Sequence, residues 1–135
     1  MVERVRYSSG TPWEEKAGYS RAVRVGNVIY VAGTAPAGPD GKTVAPGDAY
    51  GQARYVLQKI GWALREVGAC LDDVVRVRMY ATDIGAWDGI SRAHREAFAV
   101  ALPASTLVVV KGLMNKDMLV EIEVEAVVDE LAPAG

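Results

Sequence analysis

Apolar and polar residues alternate with a period of two in several short stretches of the chain, which is typical of β-strands. The clearest stretch is Arg21–Ala32, where two β-prone runs are joined by the two-residue turn pair Gly26-Asn27 and predict a hairpin. Four further strands are predicted, at Val2–Tyr7, Val74–Ala81, Thr106–Lys111 and Met118–Val128. Two segments rich in turn-forming residues, Ser8–Gly18 and Ala35–Gly47, are predicted to be loops.

A second period, with apolar residues three and four positions apart, predicts two helices. The first covers about Asp48–Val67, with Asp48 as its N-cap and Gly68 as its C-terminal stop. Its apolar stripe consists of Ala53, Val56, Leu57, Ile60, Leu64 and Val67. The second helix covers about Trp87–Val100 and ends before Pro103.

The predicted order is strand, hairpin, helix, strand, helix, strand, strand, which indicates an α+β fold with both helices on one side of a sheet. The other sheet face carries arginines on one strand and glutamates on another, which would pair if the two strands are neighbours. These residues are Arg76, Arg78, Glu121, Glu123 and Glu125. Because tyrosines sit among these charges, we expect the face to meet another subunit rather than solvent.

The composition narrows the class of protein. A chain of 135 residues, half of them hydrophobic, is expected to form a single domain over residues 1–135. Its net charge of −2 argues against a nucleic-acid partner. No apolar run approaches the roughly 18 residues that span a membrane, and the charged N-terminus lacks an apolar signal core. We therefore expect a soluble, cytoplasmic protein with no membrane partner.

Few residues in the chain suggest metal or nucleophilic chemistry. Cys70 is the single cysteine and His94 the single histidine, so neither a disulfide nor a Cys- or His-based metal site is expected. Cys70 has no nearby histidine, which favours a packed or half-exposed thiol over a nucleophile. His94 lies on the inner side of an Ala-rich helix, which favours a core or interface residue over a general base.

Several short motifs together resemble the RidA/YjgF family of enamine/imine deaminases. They occur in the family's order between about Gly18 and Val128, and are Gly26–Gly33, Gly51–Leu57, Leu71–Val75, Tyr80–Asp83 and Leu119–Glu123. The resemblance implies a chorismate-mutase-like α+β fold, with a mixed sheet and two helices packed on one face. It also implies a homotrimer whose sheets form a central barrel, with three clefts between subunits.

The resemblance also implies a site that needs no cofactor and no metal. It assigns the orientation of the attacking water to Glu121, and an offset of two would move that role to Glu123. The residues implied to bind the substrate are Tyr19, Ala32, Gly33, Ser105 and Thr106.

The sequence departs from the family pattern where family members grip a substrate carboxylate. Their Pro-x-Arg-Ser/Thr motif reads Pro103-Ala104-Ser105-Thr106 here, so Ser105 stands in place of the arginine. Ala32 and Thr34 also replace a serine and a glutamine that deaminase members often carry. Arg78 and Lys111 are candidate replacement cations, although cross-strand pairing of Arg78 with a glutamate is the favoured interpretation.

Three functions follow from this resemblance. The first is hydrolysis of small reactive enamines or imines to a ketone or keto acid plus ammonia, on a substrate different from 2-aminoacrylate-type acids. The alternative is a non-catalytic trimer that binds a small metabolite or regulates another process. A ribonuclease or translation inhibitor is the least favoured, because no basic stripe with interleaved aromatics is visible.

Overall fold

The computed structural model describes residues 2–129, so that Met1 and residues 130–135 of the expected domain lie outside the described part. The strands are β1 (Arg4–Tyr7), β2 (Ala22–Val25), β3 (Val28–Thr34), β4 (Val74–Ala81), β5 (Ala104–Val109) and β6 (Val120–Val127). The helices are α1 (Pro12–Ala17), α2 (Ala49–Glu66) and α3 (Trp87–Ala97).

The six strands form one mixed sheet in the order β1-β2-β3-β6-β4-β5. The pair β4–β5 is parallel, with α3 in the connection between the two strands, and the other pairs are antiparallel. Helix α2 packs against β3 and β6, and α3 packs against α2. The α+β fold with a mixed sheet and its helices is therefore confirmed.

The core lies between the sheet and helix α2. It is formed mainly by residues at the apolar positions of the predicted helix and strands. Every member of the predicted stripe is buried, and Asp48 caps the helix by accepting a hydrogen bond of 2.9 Å from the Gly51 N–H. The opposing strands contribute Ile29, Val31, Val77, Met79, Ile122 and Val124, all at most 4% exposed. The predicted hairpin is also confirmed, because Val25 pairs with Val28 across the Gly26-Asn27 turn.

The segment Ser8–Gly18 is not only a loop, because residues 12–17 form the short helix α1. Pro12 occupies the first turn, where its missing N–H costs nothing, and Glu14 and Glu15 complement the helix dipole there. Gly18 ends the helix with a φ of 80°, in the left-handed region that glycine tolerates.

Strand β4 departs from regular alternation, because a register shift between Val74 and Arg76 buries Val74 and leaves Val75 exposed. Two element boundaries also differ from the predicted ones. Helix α3 ends at Ala97 rather than Val100, and β5 begins at Ala104, two residues before the expected start.

Within residues 2–129, the helices are too short or too polar for any of them to cross a membrane.

Candidate functional site

A cavity of about 860 Å³ opens at the end of the sheet where β3 ends and β6 begins. One wall is the segment that contains α1, a second is the loop after β3, and Lys59 of α2 lies between them. Glu121, at the start of β6, places its carboxyl in this cavity. Enclosed cavities with a few convergent polar groups are typical of ligand sites.

Glu121 depends on the absence of a side chain at Gly33. A Cβ added to Gly33 would lie 2.5 Å from Glu121 Oε2, which is closer than such atoms can approach. Burial raises the pKa of the Glu121 carboxyl, the Arg21 charge opposes this, and the neighbouring Glu123 adds to it. The structure therefore holds a carboxyl of raised pKa against the backbone of β3.

Arg21 fixes the backbone around Glu121. This arginine is only 7% exposed, and its Nη1 donates hydrogen bonds to the Gly33 carbonyl at 2.7 Å and to Thr34 Oγ1 at 3.2 Å. Its Nη2 donates to the Tyr19 hydroxyl at 3.4 Å. Because these partners come from the end of β3 and from the cavity wall, Arg21 joins the two sides of the site.

Glu14 of α1 provides the negative charge that accompanies Arg21 behind the cavity wall. Arg21 Nε lies 3.5 Å from Glu14 Oε2, which is an ion-pair distance without hydrogen-bond geometry. Burial opposes ionisation of Glu14, but hydrogen bonds from Ser9 and Thr11 outweigh burial and lower the pKa of the carboxyl to about 2. The hydroxyls of the N-terminal segment, rather than Arg21, therefore keep Glu14 ionised.

Lys59 brings a second cation into the cavity. Its Nζ donates hydrogen bonds of 3.1 Å to the carbonyls of Ala35 and Ala37, in the loop after β3. Burial lowers the pKa of Lys59, and the nearby Arg21 charge lowers it further. Neither Arg21 nor Lys59 was among the predicted site residues. Arg21 lies two residues after the predicted Tyr19, and this proximity is the signal that could have found it.

Three of the predicted site residues, Tyr19, Gly33 and Glu121, line this cavity together. Ala32 does not line it; its N–H donates to the Arg21 carbonyl at 2.9 Å and so supports the neighbouring backbone. Of the two candidate glutamates, Glu121 faces the cavity, whereas Glu123 accepts a hydrogen bond from the Tyr80 hydroxyl on the open sheet face.

Ser105 and Thr106 lie outside this cavity, on the edge strand β5. Ser105 pairs in register with the buried Val77, so its side chain is directed to the helical side of the sheet. There its Oγ lies 2.7 Å from His94 Nε2. Thr106 Oγ1 accepts a hydrogen bond of 3.0 Å from Arg76 on the opposite face. Within one chain, Ser105 and Glu121 are therefore not brought together.

The candidate replacement cations also lie outside the cavity. Arg78 forms an ion pair of 2.9 Å with Glu125 and a longer one of 4.0 Å with Glu123, so the expected cross-strand pairing is confirmed. Lys111 is exposed beyond the end of β5. The inner cations that line the cavity with Glu121 are Arg21 and Lys59, neither of which was a candidate.

The two residues considered for other chemistry lie outside the cavity. His94 packs edge-on against Phe98, with ring centroids 4.8 Å apart, and burial lowers the pKa of its imidazole. Cys70 is an exposed free thiol. Across residues 2–129, no three His, Cys, Asp or Glu side chains are grouped so that they could hold a metal ion.

Comparisons with known proteins agree with this fold. A family model described as endoribonuclease L-PSP matches residues 11–128. An uncharacterised protein of Streptomyces coelicolor is 37% identical over 121 residues, which cover 90% of each chain. A protein of Acinetobacter baylyi named 3-aminoacrylate deaminase RutC is 33% identical over 122 residues, covering 90% of this chain and 95% of the relative.

The structural comparison gives the same result. The crystal structure of Rv2704 from Mycobacterium tuberculosis, described as a member of the YjgF/YER057c/UK114 family, matches with a TM-score of 0.85 and 41% identity. The match covers 93% of this chain and all of that one. Sequence motifs, family model and structure thus converge, and the chain belongs to the RidA/YjgF family.

Proposed function

We propose that this protein hydrolyses small reactive imines, and enamines after their tautomerisation, to a ketone or keto acid and ammonia. The observation that carries the proposal is Glu121, a carboxyl of raised pKa that lines the cavity beside Tyr19 and Gly33. A relative at 33% identity is named as a 3-aminoacrylate deaminase, which is the same class of reaction.

The proposed reaction needs one group that both accepts and donates a proton. Ionised Glu121 takes a proton from a water molecule as the water oxygen attacks the imine carbon, and it passes that proton to the imine nitrogen to give a carbinolamine. Glu121 then takes the hydroxyl proton and delivers it to the amine nitrogen as the C–N bond breaks, so that imine and water give carbonyl and ammonia. A carboxyl whose pKa lies closer to neutrality performs both steps better than an ordinary glutamate.

The surroundings of Glu121 suit this role. Gly33 allows its carboxyl to lie close to the strand backbone, and Arg21 holds that backbone through the Gly33 carbonyl. Tyr19 lines the same cavity, and its hydroxyl accepts a hydrogen bond from the same arginine. Tyr19 and Gly33 are therefore proposed to bind substrate, and Arg21 to position the residues around Glu121.

The proposal includes a trimer with clefts between subunits, to which Ser105 and Thr106 of a neighbouring subunit would contribute. The open sheet face supports self-association, because it exposes Tyr30 and Val108 at 50% and 44% beside the Arg78–Glu125 pair. Light scattering coupled to size exclusion should give three times the subunit mass. A monomer at micromolar concentration would contradict this part of the proposal.

A coupled assay tests the activity directly. An amino-acid oxidase generates imines from a panel of amino acids, and ammonia release is followed with and without the protein. We expect acceleration by the wild type and a loss of about 100-fold or more in Glu121→Gln, as is usual when a general acid–base is removed. Glu123→Gln is the matched control, because Glu123 does not line the cavity and its carboxyl is bonded to the Tyr80 hydroxyl, and it should retain most of the rate.

The alternative, a trimer that binds a metabolite without turnover, predicts a different outcome. Ser105, which replaces the family arginine, favours this alternative. In that case the wild type would accelerate ammonia release from no imine in the panel, while a thermal-shift screen would find small ligands that stabilise the protein. Equal rates for wild type and Glu121→Gln would also contradict the hydrolytic proposal.

A further inference from the structure

The cavity contains cations on the same chain as Glu121, although the family's arginine position on β5 is a serine. Arg21 and Lys59 both line the cavity. Ser105 supplies no charge, and its hydroxyl is bonded to His94 on the helical side of the sheet. An anionic group on a ligand would therefore find its partner at a different place from the one that the sequence motif indicates.

Arg21 retains hydrogen-bonding capacity toward the cavity. Its two Nη1 protons are taken by Gly33 and Thr34, but the Nη2 contact to the Tyr19 hydroxyl is long, at 3.4 Å. A guanidinium has five N–H donors, so Nη2 can donate to a ligand without releasing the backbone. Because Arg21 is 93% buried and held by β3, this donor is fixed in place before any ligand arrives.

Lys59 has one ammonium proton left. Two of its three donors are taken by the carbonyls of Ala35 and Ala37, and its ammonium lies 5.7 Å from the centre of the Tyr55 ring. Among residues 2–129, no carboxylate lies within ion-pair distance of this ammonium. Lys59 is therefore a half-buried cation held at the cavity by neutral groups.

The other cations around the cavity are balanced by nearby carboxylates or lie at its rim. Glu14 stays ionised and balances Arg21, and the exposed Lys16 and Asp40 at the rim balance one another. Lys59, which has no carboxylate at ion-pair distance within residues 2–129, is therefore the inner cation that is left to meet the negative charge of a ligand.

We propose that Lys59, together with Arg21 Nη2, forms an anion subsite that holds the carboxylate of a small monocarboxylate beside Glu121. This inference rests on the proposed function for the identity of the reacting group, since the imine carbon would then face Glu121. It makes Lys59 and Arg21 specificity-determining residues that act within one chain, in place of a cation at position 105.

Equilibrium binding tests the subsite without requiring turnover. Pyruvate and its uncharged amide, pyruvamide, are titrated by ligand-observed NMR into wild type, Lys59→Met, Lys59→Arg and the control Lys111→Met, whose lysine is exposed outside the cavity. We expect wild type and Lys111→Met to bind pyruvate at least tenfold more tightly than pyruvamide. In Lys59→Met the affinity for pyruvate should fall about tenfold while the affinity for pyruvamide stays the same. Lys59→Arg should retain most of the affinity for pyruvate.

Other results would overturn the subsite. Equal affinity for pyruvate and pyruvamide in the wild type, or no binding of pyruvate, would do so, as would a folded Lys59→Met that binds pyruvate normally. If Lys59→Met does not fold, the affinities of wild type and Lys59→Arg for pyruvate and pyruvamide decide whether the subsite exists. The proposed function fails separately, by an absence of ammonia release while pyruvate still binds.

Discussion

Two clusters of arginine and glutamate lie in this molecule, and they differ mainly in exposure. On the open sheet face, Arg78 pairs with Glu125 at 2.9 Å while both side chains remain more than a third exposed. At the cavity, Arg21 and Glu14 lie 3.5 Å apart, with side chains only 8% and 3% exposed. The same two residue types therefore form an exposed ion pair on the sheet face and a buried ion pair behind the cavity wall.

At the cavity, the environment shifts the pKa values of two carboxyls in opposite directions. The pKa of Glu14 is lowered to about 2, and the pKa of the nearby Glu121 is raised. The opposite shifts arise because Glu14 accepts hydrogen bonds from Ser9 and Thr11, while burial dominates at Glu121. Neighbouring carboxyls whose pKa values are pushed apart by their environments are typical of acid–base sites.

The largest expected difference between the clusters is in stability. Glu14→Gln leaves the buried Arg21 without its counter-charge and weakens the acceptor for Ser9 and Thr11, so the free energy of unfolding should fall by about 3 kcal/mol. Chemical denaturation at pH 7 measures this loss. Glu125→Gln, which breaks the exposed pair, should cost less than about 1 kcal/mol. Comparable losses in the two variants would remove the distinction between the clusters.

The loss at Glu14 should depend on pH. Its folded-state pKa of about 2 lies below the ordinary value of 4.5, so its ionised form stabilises the fold above about pH 4.5 and this contribution disappears as pH falls toward 2. The stability gap between wild type and Glu14→Gln should therefore be constant above pH 5 and narrow below it. A gap that stays the same down to pH 3 would contradict the assigned pKa.

A smaller effect is expected from filling the space at Gly33. Gly33→Ala would place a Cβ against Glu121 Oε2 and displace the carboxyl, so ammonia release should slow by about tenfold or more. Gly112→Ala is the matched control, since a Cβ there meets no atom within 4 Å. If Gly33→Ala works as fast as wild type, the position of Glu121 does not limit the reaction.

The smallest expected effect is an increase in the free energy of unfolding in Glu121→Gln, whereas Glu14→Gln is expected to lower it. Because burial raises the pKa of Glu121, its ionised form is unfavourable in the folded state, and stability is lost as pH rises through that pKa. Glu121→Gln should therefore be more stable than wild type by about 1 kcal/mol at pH 7, with the gain shrinking toward pH 4. Thermal unfolding across this range would reveal it, and a destabilised variant at pH 7 would contradict it.

The sequence predicted what depends on local periodicity. The stripe of α2 lies inside one helix, the Gly26-Asn27 turn joins adjacent strands, and the alternation in β4 and β6 places Arg78 opposite the glutamates. Each of these features depends on residues that are close together in the sequence. A period of two, or of three to four, residues is therefore sufficient to predict it. The family motifs added Tyr19, Gly33 and Glu121 as members of one cavity.

The rest of the site depends on contacts that no local period records. Arg21 bonds to Gly33 and Thr34, 12 and 13 residues away, and Lys59 reaches loop carbonyls more than 20 residues earlier. Helix α1 has six residues, too few for a helical period to stand out from a turn-rich segment. The shift that exposes Val75 is one extra residue within a strand, which alternation alone cannot reveal.

The pH dependence of kcat/KM for imine hydrolysis tests most directly whether Glu121 is the acid–base residue. For the wild type, the rate should fall on the acid side with a midpoint above 4.5, the ordinary value of a glutamate. In Glu121→Gln the rate should be low and this acid limb absent, whereas Glu123→Gln should keep it. An acid limb that persists unchanged in Glu121→Gln would contradict the assignment.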